Sequence, residues 1–477
     1  MPSLNIQKLS LRDYRCFEEI DIEFHKHLTV LVASNGAGKT SILDAIAVAF
    51  GPYVGAFDES VGKHFEPSDI RLISVRATAT NEMEYAPQGV SLVATGFIPD
   101  SLIDQIADNH PSTTWRRNLA GPIKAKTTIK EAKELIEYGK RMQVAVRTPG
   151  SNITLPLLAY YGTGRLWQRK KLMEYKLPRT SRTIGYSDCL DPGSSYKTFV
   201  AWFRYWSTNA FKDRYTAIDA GRTYEPTEFD HFINSVSGAV NTCLAPAGWK
   251  DIAYSLSREE LVAHHEQFGE LPVALLSDGI RNMIGMVADI AFRATKLNPH
   301  LGAMAAIETA GVVLIDEVDM HLHPEWQQVV LKSLIAAFPN LQFIVTTHSP
   351  QVLTSVDSSC IRLLSQVTDP ESGKQQSLVQ SIDLQTRGVS SADLLARIMG
   401  VDPIPDVPEA RMLSEYHALI QQNLHESTEG KALRAQLETH FGVSHPVMTE
   451  CDRMIRLQAF KQKLPLPTEP ILPKRID

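Results

Sequence analysis

The stretch 28–41 constrains the fold of this chain more than any other. An apolar run rich in β-branched residues leads there into a glycine-containing turn, and residues 42–50 continue with a helix-compatible apolar sequence. Such a strand–turn–helix unit points backbone N–H groups into one concavity at the positive end of a helix, which favours a bound anion. The closing half of the P-loop pattern G-x-x-x-x-G-K-[ST] is present as Gly38-Lys39-Thr40, whereas Ala33 takes the place of the opening glycine. The stretch therefore predicts a phosphate-binding loop.

Composition excludes several classes of protein. The chain has 477 residues, enough for about two to three structural units. With 43% hydrophobic and 21% charged residues and a net charge of −6, it is not a uniformly basic protein that coats nucleic acid. No apolar run is long enough to span a membrane and the N-terminus lacks the plan of a signal peptide, so we expect a cytoplasmic protein without membrane contact. The five cysteines have no paired spacing, which predicts neither disulfides nor a zinc site.

Two adjacent carboxylates, Asp316 and Glu317, follow the apolar run 311–315, which is typical of a strand buried on both faces. Burying charge without partners is costly, so this pair needs a cation or a reaction. We interpret Asp316 as the Mg²⁺-side carboxylate and Glu317 as the residue that orients or deprotonates an attacking water. One strand–helix–strand unit later, the β-rich run 341–347 leads to His348, a candidate sensor of a γ-phosphate.

A second candidate anion site is Leu276-Ser277-Asp278-Gly279, which precedes a helix with apolar residues on one face. A hydroxyl and a glycine at a helix N-terminus can bind an anion, although the same arrangement is also common as a purely structural cap. Between this motif and the P-loop, residues 51–270 are predicted to form an α/β insertion. The insertion includes strands at 73–79 and 90–94, a helix at 129–142, and a return to the central sheet near 155–165.

The remaining segments leave alternatives open. Residues 165–182 mix basic and aromatic side chains, which favours contact with DNA or a nucleotide but also fits a solvated charged loop. We expect the sheet to end at 364 and residues 366–463 to form a helical region, with helices at about 409–423, at 431–441 and after His445. The Pro-rich tail 464–477 fits either a polyproline-type docking strip or a disordered end.

The order of these motifs resembles that of the ABC-type ATPases of the SMC, RecF and OLD branch. The series starts with a strand pair carrying Arg15-x-Phe17, continues through the P-loop and Ser277-Asp278-Gly279, and ends with Asp316-Glu317 and His348. The resemblance covers residues 1–50 and about 270–365, the expected two halves of the ATPase domain. It implies an α/β P-loop NTPase fold of ABC-ATPase type, with a mixed sheet, an insertion and a C-terminal helical region.

The resemblance also implies ATP and Mg²⁺ as cofactors and assigns a role to each motif residue. Glu317 would polarise the water and His348 would sense the γ-phosphate. Ser277 and Gly279 would contact the nucleotide of a second protomer, so that ATP is held between two copies in head-to-tail arrangement, within a homodimer or a higher homo-oligomer. Two departures from the family pattern, Ala33 and Asp278-x-Ile280, bear on how firmly the site closes and how fast ATP turns over. The implied nucleotide-binding residues are Arg15, Asn35, Gly36, Ala37, Gly38, Lys39, Thr40, Ser41, Ser277 and Gly279, and the implied Mg²⁺ residues are Thr40 and Asp316.

Within that branch, the segments Tyr160–Arg165, His321–Pro324 and Gly388–Ser391 are similar to the PtuA family, the ATPase subunits of Septu-type and retron-linked antiphage systems. These ATPases work with a separate HNH nuclease, PtuB. The resemblance implies an ATPase that regulates a partner nuclease and is not itself a nuclease. One alternative is a RecF-type DNA-repair ATPase with 165–182 as its DNA contact. A transporter ATPase is the other, and the long insertion and the early strand pair argue against it.

Overall fold

The computed structural model describes residues 3–74, 83–99, 112–123, 125–164, 181–193, 197–368 and 375–463. The chain divides into two compact units, Met1–Met399 and Gly400–Asp477. Most of the predicted strand at 73–79, most of the basic stretch at 165–182 and all of the Pro-rich tail at 464–477 lie outside the described residues.

The described residues form fifteen strands, numbered in chain order. They are β1 (Lys8–Tyr14), β2 (Phe17–Glu23), β3 (Leu28–Val32), β4 (Leu72–Ser74), β5 (Met83–Tyr85), β6 (Val90–Gly96), β7 (Thr113–Leu119), β8 (Leu157–Tyr161), β9 (Trp249–Ser255), β10 (Glu260–His265), β11 (Gly269–Pro272), β12 (Gly311–Ile315), β13 (Leu341–Thr347), β14 (Ile361–Thr368) and β15 (Gln375–Ser381).

The described residues also form thirteen α-helices, numbered in chain order. They are α1 (Lys39–Val54), α2 (Lys133–Arg147), α3 (Lys197–Asp219), α4 (Glu228–Leu244), α5 (Asp278–Leu297), α6 (Ala305–Glu308), α7 (Pro324–Gln327), α8 (Val330–Ala337), α9 (Pro350–Leu353), α10 (Ser391–Arg397), α11 (Pro408–Gln421), α12 (Thr428–Phe441) and α13 (Pro446–Lys463). None of the helices within the described ranges is both long and apolar enough to cross a membrane.

The central sheet has the order β15-β14-β3-β13-β12-β8, and all of its neighbouring pairs are parallel except β14 with β15. The predicted α/β class with a mixed sheet is therefore confirmed. β3, β12 and β13 are buried along their whole lengths, as their apolar runs predict. The carboxyl ends of parallel strands meet at one edge of a sheet, so the turns after these three strands lie together.

The predicted end of the sheet at residue 364 is wrong, because β15 adds an antiparallel strand after it. Leu364 of β14 is paired with Val379 of β15. β15 reads Gln-Gln-Ser-Leu-Val-Gln-Ser, a mostly polar strand at the edge of the sheet that carries no strong hydrophobic signal. The first compact unit accordingly runs to Met399, beyond the predicted boundary between residues 365 and 366.

A second sheet, of order β2-β1-β6-β7, is antiparallel throughout. It contains the predicted strand pair, β1 with β2, but β6 also pairs directly with β1 from within the predicted insertion. The first part of 51–270 thus completes the N-terminal sheet, which sequence spacing did not indicate. We did not predict β7, because the charged pair Arg116-Arg117 obscures its alternation.

The alternation of β7 has an unusual consequence, since Arg117 points inward and is fully buried. Pro52 lies inside α1 and has no N–H, so it cannot bond the carbonyl of Val48 four residues earlier. The Arg117 guanidinium donates to that Val48 oxygen at 2.8 Å, and the Trp115 indole donates to the Ala49 oxygen at 2.9 Å. Two side chains of β7 thereby bind the helix that follows the P-loop.

Replacing Arg117 with methionine is expected to lower the free energy of unfolding by about 2–4 kcal/mol, because buried carbonyls lose their donor. Arg117→Met keeps an unbranched apolar stem and removes the guanidinium, so the loss reports on its hydrogen bonds together with the buried space that it leaves. The matched control is Arg116→Met, whose half-exposed side chain lies 3.5 Å from Glu131 and should cost about 0.5 kcal/mol or less. Urea denaturation measures both variants, and equal losses would contradict a special role for Arg117.

The second unit has its own small core, built by α11, α12 and α13 around Tyr416, Ile420, Leu437, Met448 and Cys451. These helices agree with those predicted at about 409–423, at 431–441 and after His445.

Candidate functional site

The turn between β3 and α1 has the backbone geometry expected of the predicted phosphate-binding loop. Gly36 and Gly38 have φ angles of 79° and 94°, in the left-handed region that glycine adopts without strain. A Cβ atom on Gly38 would lie 2.3 Å from a ring carbon of Phe17, so a side chain does not fit there. Gly38 caps the N-terminus of α1 through its backbone alone, which leaves the first N–H groups of the helix directed at the turn.

Ala33, which replaces the first glycine of the pattern, causes no backbone strain. It is not among the described residues with positive φ, and its methyl group is buried. Its carbonyl oxygen accepts a hydrogen bond from the Lys39 ammonium at 2.9 Å, and the carbonyl of Ser34 accepts another at 3.2 Å. Burial lowers the pKa of Lys39, and the carboxylates of Asp316 and Glu317 act in the opposite direction. The ammonium is thus held over the turn.

Asp316, at the end of β12, is 2% exposed and connects three elements. The Thr40 hydroxyl, in the first turn of α1, donates to its Oδ2 at 2.8 Å, and the Thr346 hydroxyl, on β13, donates to its Oδ1 at 2.6 Å. Thr346 also accepts a hydrogen bond from the backbone N–H of Glu317 at 2.7 Å. We did not predict Thr346, whose only signal in the sequence is its place two residues before His348.

The turn after β12 holds Glu317 in an unusual backbone conformation. Its φ angle is 47°, in the left-handed region that non-glycine residues rarely adopt. Two further bonds tie the same turn to β13: Val318 N–H to the Thr346 carbonyl at 3.0 Å, and the Thr347 hydroxyl to Asp319 at 2.5 Å. Strain of this kind persists where surrounding contacts determine the conformation, and it is common at functional sites.

Lys39, Thr40, Asp316 and Glu317 line one open cavity of about 350 Å³. The structure therefore brings together most of the predicted site residues from four separate parts of the chain. Ala37 and the pair Ser277 and Gly279 are not part of this lining, and Cys16 is an additional member that we did not predict. The lining residues are Arg15, Cys16, Asn35, Gly36, Gly38, Lys39, Thr40, Ser41, Asp316, Glu317 and His348.

Arg15 reaches the cavity from the turn between β1 and β2, also with a positive φ of 49°. Its guanidinium donates to Asp44 of α1 at 2.5 Å and to Asp69 at 2.8 Å. The Tyr160 hydroxyl, on β8, donates to the other oxygen of Asp44 at 3.0 Å. Two carboxylates therefore hold Arg15 in a defined orientation at the cavity wall. Sequence reasoning missed Asp44, Asp69 and Tyr160 as its supports, because they come from distant segments.

Ser277 and Gly279 lie at the N-terminus of α5, where Ser277 and Asp278 are exposed and Gly279 is buried. A Cβ on Gly279 would lie 2.3 Å from the carbonyl oxygen of His321, so close packing requires this glycine. The Asp278 carboxylate forms an ion pair with Arg281, which offsets the negative charge that departs from the family pattern. The predicted role of Ser277 and Gly279 concerns a second protomer and stays a prediction.

Two family models match the chain. Residues 8–193 match a model described as an AAA domain. Residues 251–354 match a second AAA-domain model, whose description mentions the AbiEii toxin and type IV TA systems. The matched ranges include the P-loop in the first case and Ser277, Asp316, Glu317 and His348 in the second.

Individual proteins are similar over different shares of the chain. "Retron Ec83 probable ATPase" of Escherichia coli is 24% identical over 94% of this chain and 86% of that protein. The Septu protein PtuA of Bacillus mycoides (strain KBAB4) is 29% identical over 169 residues, which are 35% of this chain and 22% of that protein. Among solved structures, an SMC head bound to the C-winged helix domain of ScpA covers 80% of this chain and 98% of its own, with 16% identity and a TM-score of 0.43.

Proposed function

Because the chain is an AAA-family ATPase related to the retron, Septu PtuA and SMC/OLD/RecF-type ATPases, we propose that it binds and hydrolyses ATP to regulate a partner nuclease in an antiphage complex. The single observation that carries the nucleotide part is the 2.8 Å hydrogen bond between Thr40 and Asp316. It joins the P-loop helix to the carboxylate after β12, the two elements that P-loop ATPases use to hold a metal ion.

The residues present fit ATP and Mg²⁺. The cavity offers the backbone N–H groups of the P-loop and the Lys39 ammonium to phosphates, and a hydroxyl and a carboxylate to a hard cation. Thr40 and Asp316 would hold Mg²⁺, with the remaining ligands supplied by phosphates and water. When bound, Mg²⁺ neutralises charge on the outer phosphates.

The positions of the other residues in the cavity support the roles that we propose for them. Glu317 is the carboxylate beside Asp316 and would orient or deprotonate the attacking water. His348 follows β13 and lies in the same cavity, where its ring can sense an outer phosphate. Arg15 can offer a guanidinium N–H donor to the nucleotide, since its two aspartate partners fix its orientation.

The antiphage part of the proposal is supported by the relatives named for retron and Septu systems. A second copy of the chain would place Ser277 and Gly279 at the nucleotide of the first, in a head-to-tail homodimer. The nucleotide state of that dimer would control a separate HNH nuclease, and the chain itself would not cut DNA. The 165–182 stretch, as a DNA contact, belongs to the alternative of a RecF-type repair ATPase.

Reconstitution tests this proposal. We expect the purified chain alone to leave DNA intact, and its complex with the HNH nuclease to cut DNA at a rate that changes when ATP is added. Mass measurement of the complex with and without ATP should detect the nucleotide-dependent homodimer. Robust Mg²⁺-dependent cleavage by the homogeneous chain, or nuclease activity that is indifferent to ATP, would overturn the regulatory role.

A further inference from the structure

A buried polar bridge connects the central sheet to α5 outside the nucleotide cavity. The hydroxyl of Tyr161, at the end of β8, donates to Oδ2 of Asp289 on α5 at 2.7 Å. Nε of Arg293, one helical turn further along α5, donates to the same oxygen at 2.7 Å. Tyr161, Asp289 and Arg293 are 1%, 1% and 4% exposed, so the bridge is shielded from water.

The bridge extends to a third segment of the chain. Nη1 of Arg293 donates to the backbone carbonyls of Gly185 at 2.8 Å and Ser187 at 2.9 Å. Gly185 also packs tightly on α5, because a Cβ there would lie 2.6 Å from Leu297. Arg293 therefore bonds the middle of α5 to the backbone of residues 185–187. Tyr161 bonds the same part of α5 to the central sheet.

One end of this bridge meets the nucleotide cavity. The backbone carbonyl of Tyr161 accepts a hydrogen bond from the N–H of Asp316 at 2.8 Å. Tyr161 is also paired in register with Ile315, the last residue of β12. A shift of Tyr161 would consequently move the residue that binds the Thr40 hydroxyl.

The other end is α5, whose N-terminus carries Ser277-Asp278-Gly279. A continuous helix transmits displacement along its axis, and Asp289 lies 11 residues after Asp278, roughly 16 Å at 1.5 Å per residue. Tyr161 thus lies between the carboxylate at the cavity and the helix whose end forms the predicted site for a second protomer.

The chemistry of the bridge indicates that it fixes the position of α5 relative to β8 more than it stabilises the fold. A buried ion pair contributes little net stability relative to packed apolar residues, because desolvation offsets the attraction. Oδ1 of Asp289 has no hydrogen-bond partner within the described part of the chain, which adds a further cost. Directional bonds at 2.7 Å on one oxygen nevertheless define a single arrangement of β8 and α5.

We propose that Tyr161, Asp289 and Arg293 are positioning residues that hold α5, and with it Ser277 and Gly279, in a fixed relation to Asp316. The proposal rests on the proposed ATPase function. In this arrangement, closure of a second protomer on Ser277 and Gly279 is transmitted through Tyr161 to Asp316. The bridge acts on hydrolysis and leaves nucleotide binding to the P-loop.

Tyr161→Phe tests the bridge, since it removes one hydroxyl and keeps the ring. We expect kcat for ATP hydrolysis to fall by about 10-fold, because small displacements at a reacting site are costly, while the Kd for ATP changes by less than about 2-fold. The control is Tyr224→Phe, which removes a hydroxyl that donates to Asp230 and lies outside both the bridge and the cavity lining. It should keep the parent kcat.

A second variant and a double-mutant cycle complete the test. Arg293→Lys keeps the charge but cannot bond Asp289 and both carbonyls together, so it should show the same fall in kcat at unchanged Kd. If Ser277 and Tyr161 act through the same path, the double variant Tyr161→Phe/Ser277→Ala should lower kcat by less than the product of the two single effects. A fall in kcat equal to that product would show that the two residues act independently, and it would refute the proposed transmission through α5.

The possible results distinguish failure of the proposed bridge from failure of the proposed ATPase function on which it rests. A parent protein that hydrolyses no ATP would refute the proposed function itself. A parent that does hydrolyse ATP, with a Tyr161→Phe variant of equal kcat and only reduced stability, would refute the bridge alone. A lower kcat at unchanged Kd in both Tyr161→Phe and Arg293→Lys, but not in Tyr224→Phe, would support it.

Discussion

Lys39→Ala is expected to lower the affinity for ATP by about 100-fold, because charge-assisted bonds to phosphate are among the strongest single contacts. In the structure the Lys39 ammonium is held over the turn by the carbonyls of Ala33 and Ser34, at 2.9 and 3.2 Å. Alanine at this position removes the cation and leaves the backbone N–H groups of the turn in place. Calorimetric titration with Mg²⁺ and ATP measures the loss directly.

A matched control separates this local effect from a general loss of charge. Lys8 lies on β1, with a side chain that is 42% exposed and 3.3 Å from Asp21, and it is not part of the cavity lining. Lys8→Ala should bind ATP like the parent. Equal ATP affinity in Lys39→Ala and the parent would refute the assignment of the phosphate-binding loop.

Glu317→Gln is expected to reduce kcat for ATP hydrolysis by about 10²–10³-fold and to preserve ATP binding. Glutamine has the same shape, but its amide cannot accept the proton of an attacking water, and general-base catalysis contributes about 10²–10⁴-fold. The N–H of residue 317 would still bond Thr346, as it does now at 2.7 Å, so the turn should keep its geometry. Because ATP stays bound, the variant should also accumulate the homodimer, which mass measurement detects.

Glu325→Gln is the control for this variant. Glu325 is an exposed carboxylate in the first turn of α7, outside the cavity lining. Its replacement should leave kcat and Kd unchanged. A Glu317→Gln protein that turns over ATP at the parent rate would show that another group activates the water.

Much of the candidate nucleotide site is predictable from the chain, because each part is local. A phosphate loop needs glycine where the backbone adopts a positive φ, and Gly38, the second glycine of the pattern, has one, as does Gly36 within the turn. The two carboxylates after a buried strand and the histidine after the next strand can likewise be predicted as site residues. Charged side chains directly after a buried apolar run need a partner or a function, because burying an unpaired charge is costly. Parallel strands place their carboxyl ends together, so Lys39, Asp316 and His348 share one cavity.

The supports of the site were not predictable, because they depend on pairing between distant segments. Arg15 is held by Asp44 and Asp69, and Asp316 is held by Thr346, but nothing in the local sequence of these residues indicates a partner. The sequence around Arg117 predicts an exposed charge. In the structure Arg117 is buried on β7 and donates to the Val48 carbonyl, which Pro52 in α1 cannot bond. Which side chains become partners depends on how whole helices and strands pack against one another.

The sequence by itself determined the glycine turn of the candidate phosphate-binding loop, the order of the motifs and the type of most elements, because those depend on backbone conformation and periodicity within short windows. Only the tertiary structure decided that β6 and β7 join the N-terminal sheet, that β15 extends the central sheet, and that Tyr161 connects Asp316 to α5. Strand pairing and buried polar bridges bring together residues far apart in the chain. Their energies depend on burial and register, which local patterns do not encode.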